Sequence, residues 1–153
     1  MGLFEYLGDV RDAILRLKYE EEKHVSIALA EMAVRVLRQI EPCDVVTWAP
    51  TTMRRRQKRG FDQSELIARH LGSRMGMRHQ RLLRRENDGS QTGSGREERL
   101  ARPSFVSRPQ LHGKSIWVID DVMTTGATMR AAAEALVHVN ASKVTCIAMA
   151  YVR

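Results

Sequence analysis

An α/β fold, with a mainly parallel twisted sheet flanked by helices, is what this sequence predicts, and three observations predict it. Helix-period segments alternate with strand-like ones along the chain. Ile116-Trp117-Val118-Ile119 are four consecutive apolar residues, mostly β-branched or aromatic, which suits a strand covered on both faces and so a parallel sheet. Val45-Val46-Thr47-Trp48 and the run from Val144 to Val152 have a similar character and supply neighbours for it. The 153 residues, 43% of them hydrophobic, fit one domain over 1–153.

Residues Val10 to Ile40 read as helix and make 1–42 an N-terminal helical part. Ile27, Ala30, Val34, Leu37 and Ile40 form a stripe at three- and four-residue steps, and Glu20 to Lys23 form a charged joint. Pro42 closes this part. Asp44 to Ala49 follows as a strand, and Pro50-Thr51-Thr52 turns the chain. Asp62-Gln63-Ser64-Glu65 has capping-box spacing and starts a helix with Leu66, Ile67, His70 and Leu71 inward, running to Gly72 or Gly76. Leu82-Leu83 sits in a brief strand. Residues 86–104 hold almost no apolar side chain and read as a mobile loop, either a lid or a segment without a role. Residues Met129 to Val139 form an Ala-rich helix before the last strand, Val144 to Val152. Right-handed crossovers bring the ends of the 45–48 and 116–119 strands to one rim.

At that rim the central strand runs into Asp120-Asp121-Val122-Met123-Thr124-Thr125-Gly126-Ala127-Thr128. Ligands of open α/β sheets bind at the carboxyl ends of the strands, so Asp120 and Asp121 stand where a ligand's hydroxyl groups arrive. Gly126 permits a positive φ, and the following helix start offers unpaired N–H groups to an anion. An acidic strand end followed by an ordinary capped turn is the plainer alternative. The whole run, apolar strand, two acids, two apolar residues and T-T-G-A-T, resembles the phosphoribosyl pyrophosphate (PRPP) loop of the type I phosphoribosyltransferases. That resemblance implies that Asp120 and Asp121 hold the ribose hydroxyls. It assigns the 5′-phosphate to Thr124, Thr125, Gly126, Ala127 and Thr128.

A second constellation lies past the 45–48 strand. Arg54, Arg55, Arg56, Lys58 and Arg59 put five positive side chains on the same rim. A solvated basic turn, a pyrophosphate contact and a nucleic-acid backbone contact all fit such a run, the last with a log-log salt slope of roughly 0.7–0.9 per neutralised phosphate. Arg56-Gln57-Lys58-Arg59-Gly60-Phe61-Asp62-Gln63, shortly after a V-x-x-x-P strand end, resembles the ComF-type competence proteins, a branch of the phosphoribosyltransferase superfamily. Phe4-x-Tyr6-x-Gly8, Arg11 and Ile14-x-x-Leu17-Lys18-Tyr19 are similar to that family's N-terminal element. Arg84, Gln91-Thr92, Arg99 and Phe105 follow its order through the loop. Asp62 stands where the family usually has Asn and suits an N-cap better than an anion contact. The family's cysteine-rich zinc ribbon has no counterpart, since Cys43 and Cys146 lie far apart and read as buried thiols.

The resemblance implies PRPP or another ribose phosphate as ligand, with Mg²⁺ held by PRPP oxygens, and basic groups among Arg55, Arg56, Lys58 and Arg59 balancing the leaving pyrophosphate. No catalytic residue and no acceptor site is legible. Three functions stand: a ComF-type ribose-phosphate binder accessory to DNA uptake or recombination, with phosphoribosyl transfer in reach; a nucleobase-salvage phosphoribosyltransferase; or a nucleic-acid-binding module without PRPP activity. A net charge of +7 leaves single-stranded DNA and competence proteins open as partners. A start without a basic leader, and the lack of any apolar run near the ~18–20 residues of a membrane span, make cytoplasmic residence the expectation. The histidines at 24, 70, 79, 112 and 138 show no ligand spacing.

Overall fold

The structure, a computed structural model, describes residues 1–86, 103–107 and 111–153. Its elements are β1 (Gly2–Glu5), α1 (Gly8–Tyr19), α2 (Val25–Leu37), β2 (Val45–Trp48), α3 (Met53–Arg59) and α4 (Gln63–Met75). Then come β3 (Arg78–His79), β4 (Leu83–Arg85), β5 (Phe105–Ser107), β6 (Ser115–Met123), α5 (Ala127–Val137) and β7 (Lys143–Tyr151). Five strands form one parallel sheet in the order β1-β7-β6-β2-β3. β4 and β5 pair antiparallel as a separate ribbon.

The strand alternation sorts the apolar side chains onto two faces. Val46, Trp48, Trp117, Ile119, Ile147 and Met149 join one core with α1, α2 and α4. Val45, Ile116, Val118 and Ala148 join the other, with α5 and the β4/β5 ribbon. Covering on both sides is why the centre of β6 reads as an unbroken apolar run. Each fully buried Ile, Leu or Val contributes about 1.5–3 kcal/mol relative to exposure, so these two layers carry most of what holds the sheet.

The expected joint falls between α1 and α2, where Glu21 takes a left-handed φ of 56° and stops the first helix. The N-terminal part is not wholly helical, however: β1 precedes α1 and pairs with β7 through Gly2↔Ala148 and Phe4↔Ala150. Four residues on a sheet edge are too short for a readable period. Gly2 is required there, because a Cβ would meet the Tyr151 side chain at 2.6 Å. The basic run differs too, since it forms α3, capped by the Thr52 hydroxyl accepting the Arg55 N–H and ended by Gly60 at φ 73°. α3 buries none of its side chains, so no apolar stripe announces it. β6 also runs on through Met123, four residues past the expected end, through Val122↔Ala150 and Met123↔Tyr151. The expected loop over 86–104 lies mostly outside the described residues.

Candidate functional site

β2 stays beside β6 only as far as Trp48↔Ile119, whereas β7 accompanies β6 to Met123. Past Ile119, therefore, one flank of β6 faces the turn after β2 and the first turn of α4 rather than another strand. Asp120 and Asp121 are the residues at that opening, and the Ala49 N–H donating to the Ile119 carbonyl at 3.0 Å closes its lower edge.

A connected polar network fills the opening. Asp62 caps α4, accepting the Ser64 N–H at 3.1 Å and the Glu65 N–H at 3.4 Å on Oδ1. Its Oδ2 accepts the Thr51 N–H at 2.8 Å, which ties the turn after β2 to the start of α4. Ser64 Oγ donates to Asp120 Oδ1 at 3.1 Å, and the Asp121 N–H donates to the same oxygen at 2.9 Å. Asp121 Oδ2 in turn lies 2.9 Å from Lys18 Nζ of α1. Two chain-distant helices and one turn are thus fastened to the acid pair. Beside Asp62, the buried Gln63 Nε2 has no hydrogen-bond partner.

Electrostatics divides the acids. Loss of water around Asp120, then repulsion from Asp121, pushes the Asp120 carboxyl up to about 7, against the opposing pull of the Asp121 N–H, Ser64 and Lys18. Burial likewise raises Asp62, with the Thr51 N–H pulling the other way and Asp121 adding to the rise. Asp120 is therefore poised to change charge near neutral pH.

The turn expected to meet a phosphate lies directly past β6. Thr124 and Thr125 are exposed, and Gly126, at φ 74°, is the N-cap of α5. A side chain at 126 would be strained in that left-handed conformation. Ala127 and Thr128 open the helix, with Thr125 Oγ1 accepting the Ala127 N–H at 3.4 Å. The remaining N–H groups of this first turn point past the helix start, as helix termini require.

The basic run is split by helical geometry. Arg54, Arg55 and Lys58 share the exposed face of α3. Arg56 turns to Glu65 at 3.5 Å, and the Arg59 guanidinium stacks on the Tyr19 ring at 5.4 Å. Ser64 and Lys18 are the site residues that sequence reasoning missed. Lys18 carried a signal: it lies four residues after the buried Ile14 and next to the buried Leu17, a cation on the apolar stripe of α1. Among the described residues no helix is long and apolar enough to cross a membrane.

Comparison with known proteins bears on this geometry. The family model for the phosphoribosyl transferase domain matches residues 32–153, which hold β2, α3, α4, β6, α5 and β7. The chain belongs to the phosphoribosyl transferase domain family. Similarity to a competence protein accords with the ComF-type resemblance of the Arg-Gly-Phe-Asp-Gln segment and the N-terminal element. The competence protein ComFC of Bacillus subtilis (strain 168) is 25% identical over 140 residues, which cover 90% of this chain. The chain spans 57% of that relative's length. Solved phosphoribosyltransferase-fold structures agree on the architecture. Glutamine PRPP amidotransferase from B. subtilis, complexed with ADP and GMP, superposes with a TM-score of 0.59 at 19% identity, over 88% of this chain and 30% of that one. Adenine phosphoribosyltransferase from Leishmania tarentolae gives 0.56 at 14% identity, over 95% and 74%.

Proposed function

We infer that this phosphoribosyl transferase domain protein binds PRPP or a related ribose phosphate at the open end of β6. The observation that carries this reading is the acid pair set in a hydrogen-bonded frame immediately before a glycine-capped helix start. Asp120 and Asp121 take the ribose hydroxyls, and Thr124, Thr125, Gly126, Ala127 and Thr128 take the 5′-phosphate through backbone N–H groups and hydroxyls. The turn after β2 and the basic side chains of α3, Arg55, Arg56, Lys58 and Arg59, lie toward the pyrophosphate end.

Phosphoribosyl transfer at such a site breaks the bond from ribose C1 to pyrophosphate as a nucleophile bonds to C1, and the electron pair leaves with the pyrophosphate. This chain's residues bind the ribose, orient C1 and neutralise the departing charge. Mg²⁺ bound together with PRPP would supply positive charge against the diphosphate, with oxygens of Asp120 and Asp121 within its reach as ligands. The donor set suits that mode, because two carboxylates, one already engaged by an ammonium, offer oxygen ligands but not a full magnesium shell.

In the cell the reading is that of a cytoplasmic ComF-type protein accessory to DNA uptake or recombination. Its support is the similarity to a competence protein. Contact with single-stranded DNA through Arg54, Arg55 and Lys58 is a second reading, favoured by their common exposed face. Calorimetric titration with Mg²⁺ and PRPP tests the first. Wild-type protein should bind, and the double variant Asp120→Asn, Asp121→Asn should lose binding while remaining folded. Unchanged affinity in that variant removes the site assignment.

A further inference from the structure

Of the 3 Phe, 3 Tyr and 2 Trp in the chain, all of them among the described residues, Tyr19 alone is exposed. Trp48, Phe61, Phe105 and Trp117 lie in the two cores, and the others are half-buried. Tyr19 is the last residue of α1, next to Lys18, whose ammonium reaches Asp121 at the end of β6. The Arg59 guanidinium lies over one face of the Tyr19 ring, 5.4 Å from its centroid. The ring is still 70% exposed, so its other face is open to solvent. A single exposed apolar side chain is ordinary on a protein surface. This one is backed by a cation, and the helix that supplies the cation also turns Arg54, Arg55 and Lys58 outward. Among the described residues those three make no ion pair. Lys58 adjoins Arg59 in the chain and Arg55 stands about one helical turn before it, so free cations flank the stacked ring.

We propose that the open face of Tyr19 is a base-stacking platform for single-stranded DNA, with Arg55 and Lys58 holding the phosphates on either side of the stacked base. The inference rests on the second reading above, contact of α3 with a single strand, and adds to it the place that takes a base. Every nucleobase presents a π face, so such a platform tolerates any sequence, and aromatic rings beside cations that track the backbone are how single strands are held. A duplex keeps its base faces stacked on one another, which makes the platform selective for unpaired strands. The tyrosine ring has two side-chain torsions, and the guanidinium behind it restricts them further, so little freedom is lost when a base settles on it.

The test is fluorescence anisotropy of the full chain with labelled oligothymidylate of about 15 nucleotides and with an abasic strand of equal length, which keeps the phosphates and has no bases. Wild type, Tyr19→Ala and Tyr19→Phe are compared across a salt series. Tyr19→Ala should weaken oligothymidylate binding roughly tenfold while its salt slope and its affinity for the abasic strand stay at the wild-type values. Tyr19→Phe, which keeps the ring, should match wild type on both strands. Alanine is a good helix former and the position is exposed, so the fold should hold, as thermal unfolding checks. Equal oligothymidylate affinity in wild type and Tyr19→Ala overturns the proposal and leaves the α3 contact standing, because the abasic strand still reports it. An equal loss on both strands also overturns it, since the effect then lies in the phosphates. If wild type binds neither strand at low salt, the platform and the α3 contact fall together.

Discussion

Asp120 is the side chain whose state governs the site. Its carboxyl is raised from an ordinary value near 3.8 to about 7, so the folded protein holds this proton more tightly than the unfolded chain does. The stabilising effect is full below pH 4 or so and is lost as pH climbs toward about 7, where burying the charge begins to cost. Asp120→Asn should therefore flatten the dependence of urea-unfolding free energy on pH between these limits and raise stability at pH 8 by a few kcal/mol at most. A variant that retains the wild-type slope would place the titration elsewhere. The identity and rim position of Asp120 were legible in the sequence because a strand followed by acids and a glycine turn is a local pattern. The Ser64 and Lys18 contacts were not, since the two partners are separated from the acids by 56 and 103 residues and only tertiary packing joins them.

The elements that frame the site illustrate two ways of making a helix. α4 is written in its apolar side, with Ile67, Ala68 and Leu71 buried, and in the Asp62 cap that the sequence already suggested. α3 has no buried side chain and depends on its Thr52 cap and on Gly60 at its end, which is why an Arg-rich run gave no helical signal. Its winding decides which charges are available: Arg56 and Arg59 are engaged by Glu65 and Tyr19, and Arg54, Arg55 and Lys58 face outward. If single-stranded DNA is bound, Ala at 54, 55 and 58 should lower the log-log salt slope by roughly 2, about 0.7 for each phosphate contact removed. Ala at 56 and 59 should change it less. Filter binding or fluorescence anisotropy between low and moderate salt measures the slopes, and equal effects from the two sets would refute the split.

At the scale of the molecule, the parallel sheet was legible because both its faces are covered and β6 shows the resulting apolar run. The outer strand β1 was not, because an edge of four residues has neither period nor length to declare itself. Its partner β7 carries Ala148 to Tyr151 along that boundary, and the β1 backbone satisfies the groups there, down to the Tyr6 N–H on the Tyr151 carbonyl at 2.9 Å. The family match begins at residue 32 and so leaves β1 and Lys18 outside. A chain trimmed of residues 1–5 alone, with α1 and α2 kept, should consequently present β7 as a bare template for intermolecular pairing. Light scattering should find such a truncation self-associating where the full chain does not, and a monodisperse fragment would deny β1 this sealing role. The first few residues, distant in sequence from the turn at 124–128, then serve as a guard against fibre-like growth.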